Sequence, residues 1–182
     1  MGWTMRQLTE DVIQRVYKIP VNDALLLGIF SSQGWYKWIV AAQFDTPHQY
    51  SLVEKCIRDE FYARSTTCFS EILMDTPKQI DVFLTQYDIV TLTFFSDGQP
   101  VTNDNQREEK LTLEAGQALA SLVTSGAVVA YGEYCNRALL SRLASTLGVE
   151  FLSTDAVRDI GETFERSTQR APRRRKKVQM PS

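Results

Sequence analysis

Apolar side chains fall at helical spacing in six stretches of this sequence, and short apolar runs separate most of those stretches. Val12, Ile13, Val16 and Tyr17 share one face of a helix predicted over about Thr9–Lys18, which Pro20 stops. The next segment, "NDALLLGIF", is apolar on all sides and fits either a short buried helix or a strand. Ser31 to Gly34 reads as a turn, Trp35 to Phe44 as a strand, and Tyr50, Val53, Ile57 and Phe61 as the buried stripe of a helix ending near Ala63.

The same pattern continues. Strands are predicted at Cys68–Met74, Ile89–Phe95, "AVVAY" and "VEFL", and helices at Thr76–Gln86, Leu113–Thr124, Asn136–Leu147 and Asp155–Phe164. Gly126 and Gly148 stand where helix C-termini want a left-handed residue. "SDGQP" marks a tight turn and "VTNDNQREEK" a polar surface loop. Strands alternating with helices of this length predict an α/β fold, a single domain of three-layer type with a mostly parallel sheet of about five strands.

One phrase occurs twice. "DTPHQ" at 45–49 and "DTPKQ" at 75–79 each follow an apolar run and precede an amphipathic one. Threonine suits a helix N-cap, and proline suits the first helical position, where its missing N–H costs nothing. Each copy is therefore expected to be a strand-to-helix joint. Neither a third copy nor a fixed period follows, so the repeat is weak.

Length permits one full core, and the expected division is a globular domain over 1–165 with a basic, disordered tail over 166–182. From Arg166 onward the chain carries seven basic residues and no acidic one; the remainder holds thirteen basic against twenty-two acidic, a net of −9. An acidic body thus wears a basic tail. The run Arg173, Arg174, Arg175, Lys176 and Lys177 behind Pro172 resembles the monopartite nuclear-localisation signals. That resemblance implies a nuclear import receptor as partner, or in a bacterial or phage setting a nucleic-acid arm that binds with strong salt sensitivity. No run approaches the roughly 18 apolar residues of a membrane span, and the N-terminus lacks the pattern of a secretory signal. Cys56, Cys68 and Cys135 have no CxxC spacing, so reduced thiols in an intracellular compartment are expected, nuclear in a eukaryote or virus and cytoplasmic in a bacterium.

Catalytic motifs are absent: there is no P-loop, no GxGxxG and no nucleophile elbow, and the catalytic residues stay unassigned. In a parallel sheet, ligands bind beyond the carboxyl ends of the strands. The predicted ends carry Asp45, Asp75, Glu133 and Asp155, an oxygen set suited to Mg²⁺ and phosphoryl chemistry if it converges. The alternative is that these carboxylates only cap helices and complement their dipoles.

His48 is the sole histidine, beside Pro47 at a helix start, where a surface role is the plainer reading. Cys135 reads as a small buried hydrophobe. Trp35, Tyr36 and Trp38 crowd one strand; on an exposed face they would stack bases, but core packing is the stronger expectation. "VVAYGEYCNRALLSRL" resembles a strand-then-helix motif of the DEDD-type exonucleases. Tyr131, Gly132 and Asn136 stand in its key places, so the metal-binding acid that this family would imply is missing.

Three functions follow as expectations. The first is a non-enzymatic interaction or regulatory protein acting near nucleic acid or in the nucleus, with the tail as targeting signal or arm and no cofactor. The second is a Mg²⁺-dependent phosphotransfer or nuclease-like enzyme. The third is an inhibitor of viral or mobile-element type that binds a protein partner through a sheet edge or the aromatic strand.

Overall fold

A computed structural model describes residues 3–61, 67–96 and 98–154. The elements run α1 (Trp3–Val16), β1 (Ala24–Phe30), β2 (Tyr36–Gln43), α2 (Pro47–Glu60), α3 (Ser70–Phe83), β3 (Thr91–Ser96), α4 (Asn105–Leu119), β4 (Ser125–Tyr131), α5 (Arg137–Leu147) and β5 (Glu150–Thr154). The chain is α/β, as the alternation predicts. Its strands do not form one sheet, however. β1 and β2 make an antiparallel hairpin, and β3, β4 and β5 a parallel sheet in that order. The expected five-stranded, mostly parallel sheet is corrected to this pair. Ser31–Gly34 is too short to carry a crossover, so β2 has to return alongside β1. The predicted final helix from Asp155 and the tail 166–182 lie outside the described residues.

Helices cover two sides. Leu8, Val12, Ile13 and Val16 of α1 pack with Val53 and Ile57 of α2 against Val40 and Phe44. On the other side, Ile72, Leu73 and Ile80 of α3, Leu119 of α4 and Leu139, Leu140 and Leu143 of α5 enclose Phe94, Val128 and Ala130. The buried positions of α3 (Ile72, Leu73, Thr76, Ile80) recur at three and four residues, the single stripe that ties a helix to a core.

The two "DTP" copies serve different ends. Thr46 is an extended N-cap, Pro47 opens α2, and the Gln49 amide oxygen reaches back to accept the Thr46 N–H at 2.8 Å and the Asp45 N–H at 2.6 Å. The second copy is no joint. Asp75, Thr76 and Pro77 lie inside α3, and "CFSEILM", expected as a strand, supplies the first turns of that helix. Thr76 is buried and donates its hydroxyl to the Ile72 carbonyl at 2.7 Å.

The beginning of α3 explains the error. Its N-cap, Phe69, offers no side-chain oxygen. Glu108, only 4% exposed, reaches over from α4 to serve. One carboxylate oxygen accepts the N–H groups of Phe69 at 2.7 Å and Ser70 at 2.8 Å, and the other accepts the Ser70 hydroxyl at 2.6 Å. Orphan donors at a helix start and a negative charge are matched in one contact. The stretch "NDNQREEK", expected as surface loop, is mostly the first turns of α4, capped by Asp104 accepting from the Arg107 N–H at 2.9 Å. Gly126, expected at a helix terminus, instead lies in β4 at φ +140°. Asn136 and Gly148 bound α5 where predicted, the latter in the left-handed region.

Candidate functional site

The C-terminal ends of β1, β3 and β4 meet at one rim, joined by main-chain bonds between loops. The Ser31 carbonyl, just past β1, accepts the Cys68 N–H at 2.6 Å. The neighbouring Thr67 carbonyl accepts the Val101 N–H, beyond β3, at 2.9 Å, and the Gly98 carbonyl accepts the Asn136 N–H, beyond β4, at 3.3 Å. Gly98 is packed so closely that a Cβ there would lie 2.6 Å from the Thr67 hydroxyl. Its small size, rather than a positive φ, is what the site requires. Asn136 also caps α5 through Leu139 and donates its side-chain amide to Glu109 at 3.4 Å. Loops held in this way present side chains from a rigid base.

Two large apolar side chains project from the rim. Val101 is 56% exposed and Tyr134 is 74% exposed. Beside them, between the turn after β1 and the starts of α3 and α4, lies a shallow hollow lined in part by Gln33, Met74, Asn103 and Arg107. Its floor holds Cys68, whose thiol pKa is pushed up by burial, with the Glu108 charge adding to the shift. That position therefore favours an inert thiol. Cys68 and Cys135 are buried and Cys56 exposed, and none of the three is in a disulfide.

The carboxylates expected to converge do not. Asp45 follows β2 and sits at the opposite edge, where Phe44 pairs with Asn22 and Asp23 at the start of β1. Asp75 is held within α3, accepting from the Trp38 indole N–H at 2.7 Å and the Gln79 amide at 2.9 Å. Glu133 is at the rim and exposed. Asp155 lies outside the described residues, as do Arg173, Arg174, Arg175, Lys176 and Lys177. Among the described residues no group of three or more His, Cys, Asp or Glu is placed to hold a metal ion. A reversed strand and an unforeseen helix separate the acids.

The indole of Trp38 is half-buried and packs on the α3 side, so it is no stacking platform. His48 is exposed at the start of α2. Among the described residues no helix is long and apolar enough to cross a membrane. Thr67, Val101, Tyr134 and Glu108 went unmarked in the sequence; only the Asp-Gly pair at 97–98 hinted at a special loop.

No protein-family model matches the sequence, and no curated protein does. Solved structures do. A von Willebrand factor type A protein from Catenulispora acidiphila superposes with a TM-score of 0.72 at 12% identity, over 89% of this chain and 37% of its own. Proximal thread matrix protein 1 from the mussel byssus superposes with a TM-score of 0.67 at 14% identity, over 90% of this chain and 41% of its own. A second structure of that mussel protein has zinc in its MIDAS motif, with the same TM-score of 0.67. In this chain the described Asp, Glu, His and Cys residues form no group of three or more that could hold a metal ion. The chain spans less than half the length of the solved proteins it resembles. The expectation of a protein working near nucleic acid or in the nucleus is corrected here: the fold neighbours are a von Willebrand factor type A protein and a mussel byssal-thread matrix protein, and neither points to nucleic acid or the nucleus. At these identities the likeness establishes the fold, which is similar to that of von Willebrand factor type A domains.

Proposed function

We propose that this chain is a protein-binding domain that engages its partner at the rim where β1, β3 and β4 end. The observation that carries the reading is the fold likeness to a von Willebrand factor type A protein over 89% of the chain, since such domains typically bind proteins. The rim suits the task. Val101 and Tyr134 supply apolar contact area on loops fixed to one another, and an aromatic anchor on a rigid base costs little ordering entropy when it docks. Polar groups of the hollow beside them, Gln33, Asn103 and Arg107, provide a rim of hydrogen-bonding partners.

The test is capture from native extract, treated with nuclease, on immobilised full-length protein. Wild type is expected to retain a defined set of proteins, and the V101D/Y134A double variant to lose at least about ten-fold of that retention, the scale of one hot-spot anchor. Both residues are exposed, so the variant should keep its fold, which circular dichroism checks. Equal retention by both proteins, or retention that disappears with nuclease treatment, would contradict the proposal.

A further inference from the structure

Tyr17, in the turn after α1, is half exposed at 51%, and its hydroxyl donates to the Glu54 carboxylate of α2 at 2.5 Å. That carboxylate has a second partner. Arg58, one helical turn on, donates to Glu54 at 2.9 Å and also reaches back to α1, where Glu10 accepts from it at 2.7 and 3.2 Å. The phenol contact first, and then Arg58, hold the Glu54 pKa below its usual value, so the acceptor is ionised at neutral pH. The Tyr17 ring lies on Tyr50, with centroids 5.9 Å apart and planes 17° from parallel. The phenol is thus fixed on a base while half of the residue stays in solvent.

This geometry bears on oxidation. A phenol gives up an electron readily only when its proton leaves with it, because the phenol radical cation is a very strong acid. A carboxylate already bonded to the hydroxyl takes that proton without rearrangement, as a positioned base does. Tyr50 and Tyr134 each lack one part. Tyr50 donates to the Ile19 carbonyl at 2.7 Å, an oxygen too weakly basic to keep a proton. Tyr134 is more exposed, at 74%, but among the described residues no carboxylate accepts from its hydroxyl.

We propose that Tyr17 is a site of oxidative modification, at which a one-electron oxidant of peroxidase type joins two copies of this chain through a dityrosine bond. In each copy the oxidant takes one electron from Tyr17, and the phenolic proton passes to Glu54. Two Tyr17 radicals then form a carbon–carbon bond between ring positions ortho to the oxygens. The hydrogens at those two positions move to the oxygens as the rings regain aromaticity. In sum, two tyrosines become one dityrosine, the oxidant gains two electrons, and two protons leave through Glu54 to water. Tyr50 does not couple, since its own proton has no base to receive it, so the second phenol comes from another copy. Glu54 and Arg58 are positioning residues here, one receiving the proton and the other keeping its partner ionised. The proposal is independent of partner binding at the rim.

The test oxidises the full chain with photogenerated tris(bipyridyl)ruthenium(III), a cobalt(III) ammine serving as electron acceptor. Linked dimer is measured by dityrosine fluorescence on reducing gels, and the bond is mapped by peptide mass spectrometry. Wild type is expected to dimerise through Tyr17. Tyr17→Phe, which keeps the stacked ring, is expected to lose at least about ten-fold of the dimer. Glu54→Gln should lose about as much, below the usual contribution of a positioned base because water takes part of the proton flux. The pH profile separates proton acceptance from packing. The wild-type rate is expected to fall once acid protonates Glu54, at a pH below the ordinary glutamic acid range because its pKa is lowered, whereas the Glu54→Gln rate stays flat there. A bond mapped chiefly to Tyr134, or one between Tyr17 and Tyr50 of the same chain, would overturn the proposal. So would a Glu54→Gln rate equal to wild type, or no linked dimer at all.

Discussion

Replacing Glu108 with alanine is expected to lower stability by about 3 kcal/mol, because buried donors left without an acceptor cost roughly 1–3 kcal/mol each. The carboxylate stands alone in its task. It accepts from the Phe69 N–H, the Ser70 N–H and the Ser70 hydroxyl, and with 4% exposure no water replaces it readily. For a chain of this size the melting temperature should fall by about 6–12 °C. Glu108→Gln separates the contributions. Its amide oxygen keeps both N–H contacts, and the Ser70 hydroxyl can turn to accept, so a loss of only about 1 kcal/mol is expected. Denaturant unfolding measures both. Equal losses, or none for alanine, would show that α3 begins without this acceptor.

Gly126→Ala should be harsher still. At φ +140° a Cβ on residue 126 would lie 1.8 Å from the Leu92 carbonyl oxygen, inside the β3–β4 ladder where Leu92 and Gly126 are direct partners. Backbone cannot rotate away as a side chain does, so the strands would have to part at this point. A cost of about 4 kcal/mol or more is expected, in the range reserved for broken backbone geometry. Soluble yield and the urea midpoint measure it. A variant with the wild-type midpoint would mean that β3 and β4 do not approach at this register.

Much of this fold is visible in local pattern. α2 carries its cap beside its start, at Thr46 and Gln49, and α5 carries caps at both ends, at Asn136 and Gly148, so the start of α2 and both limits of α5 can be read within one or two residues. α3 cannot be read in this way, because its first turn is satisfied by a carboxylate thirty-eight residues further on. Without that acceptor, Thr76 and Pro77 look like the better start. The same blindness hid α4, since a polar run gives no reason to expect that one of its acids is buried. Strand direction was the other loss. "ALLLGIF" and "YKWIVAAQ" each read as buried or half-buried, but a short turn between them makes a hairpin, and that reversal carried Asp45 to the far edge from Glu133.

The site was less legible than the fold. Glu133 was placed at the rim, but Thr67 meets Gly98 and Val101 only through the closing of loops some thirty residues apart. Val101 and Tyr134 look like ordinary loop residues until those loops bring them to one edge. Composition drew attention instead to the basic run beyond Arg166, and that emphasis produced the nuclear reading which the fold neighbours correct.

Partner docking at the rim is tested most directly by replacing Tyr134 with a photoreactive benzoylphenylalanine and irradiating the protein in native extract. Leu52 on α2, 49% exposed and remote from the rim loops, receives the same group as control. The rim position is expected to give discrete protein adducts and the α2 position none. Adducts only from position 52, or the same adducts from both, would contradict it.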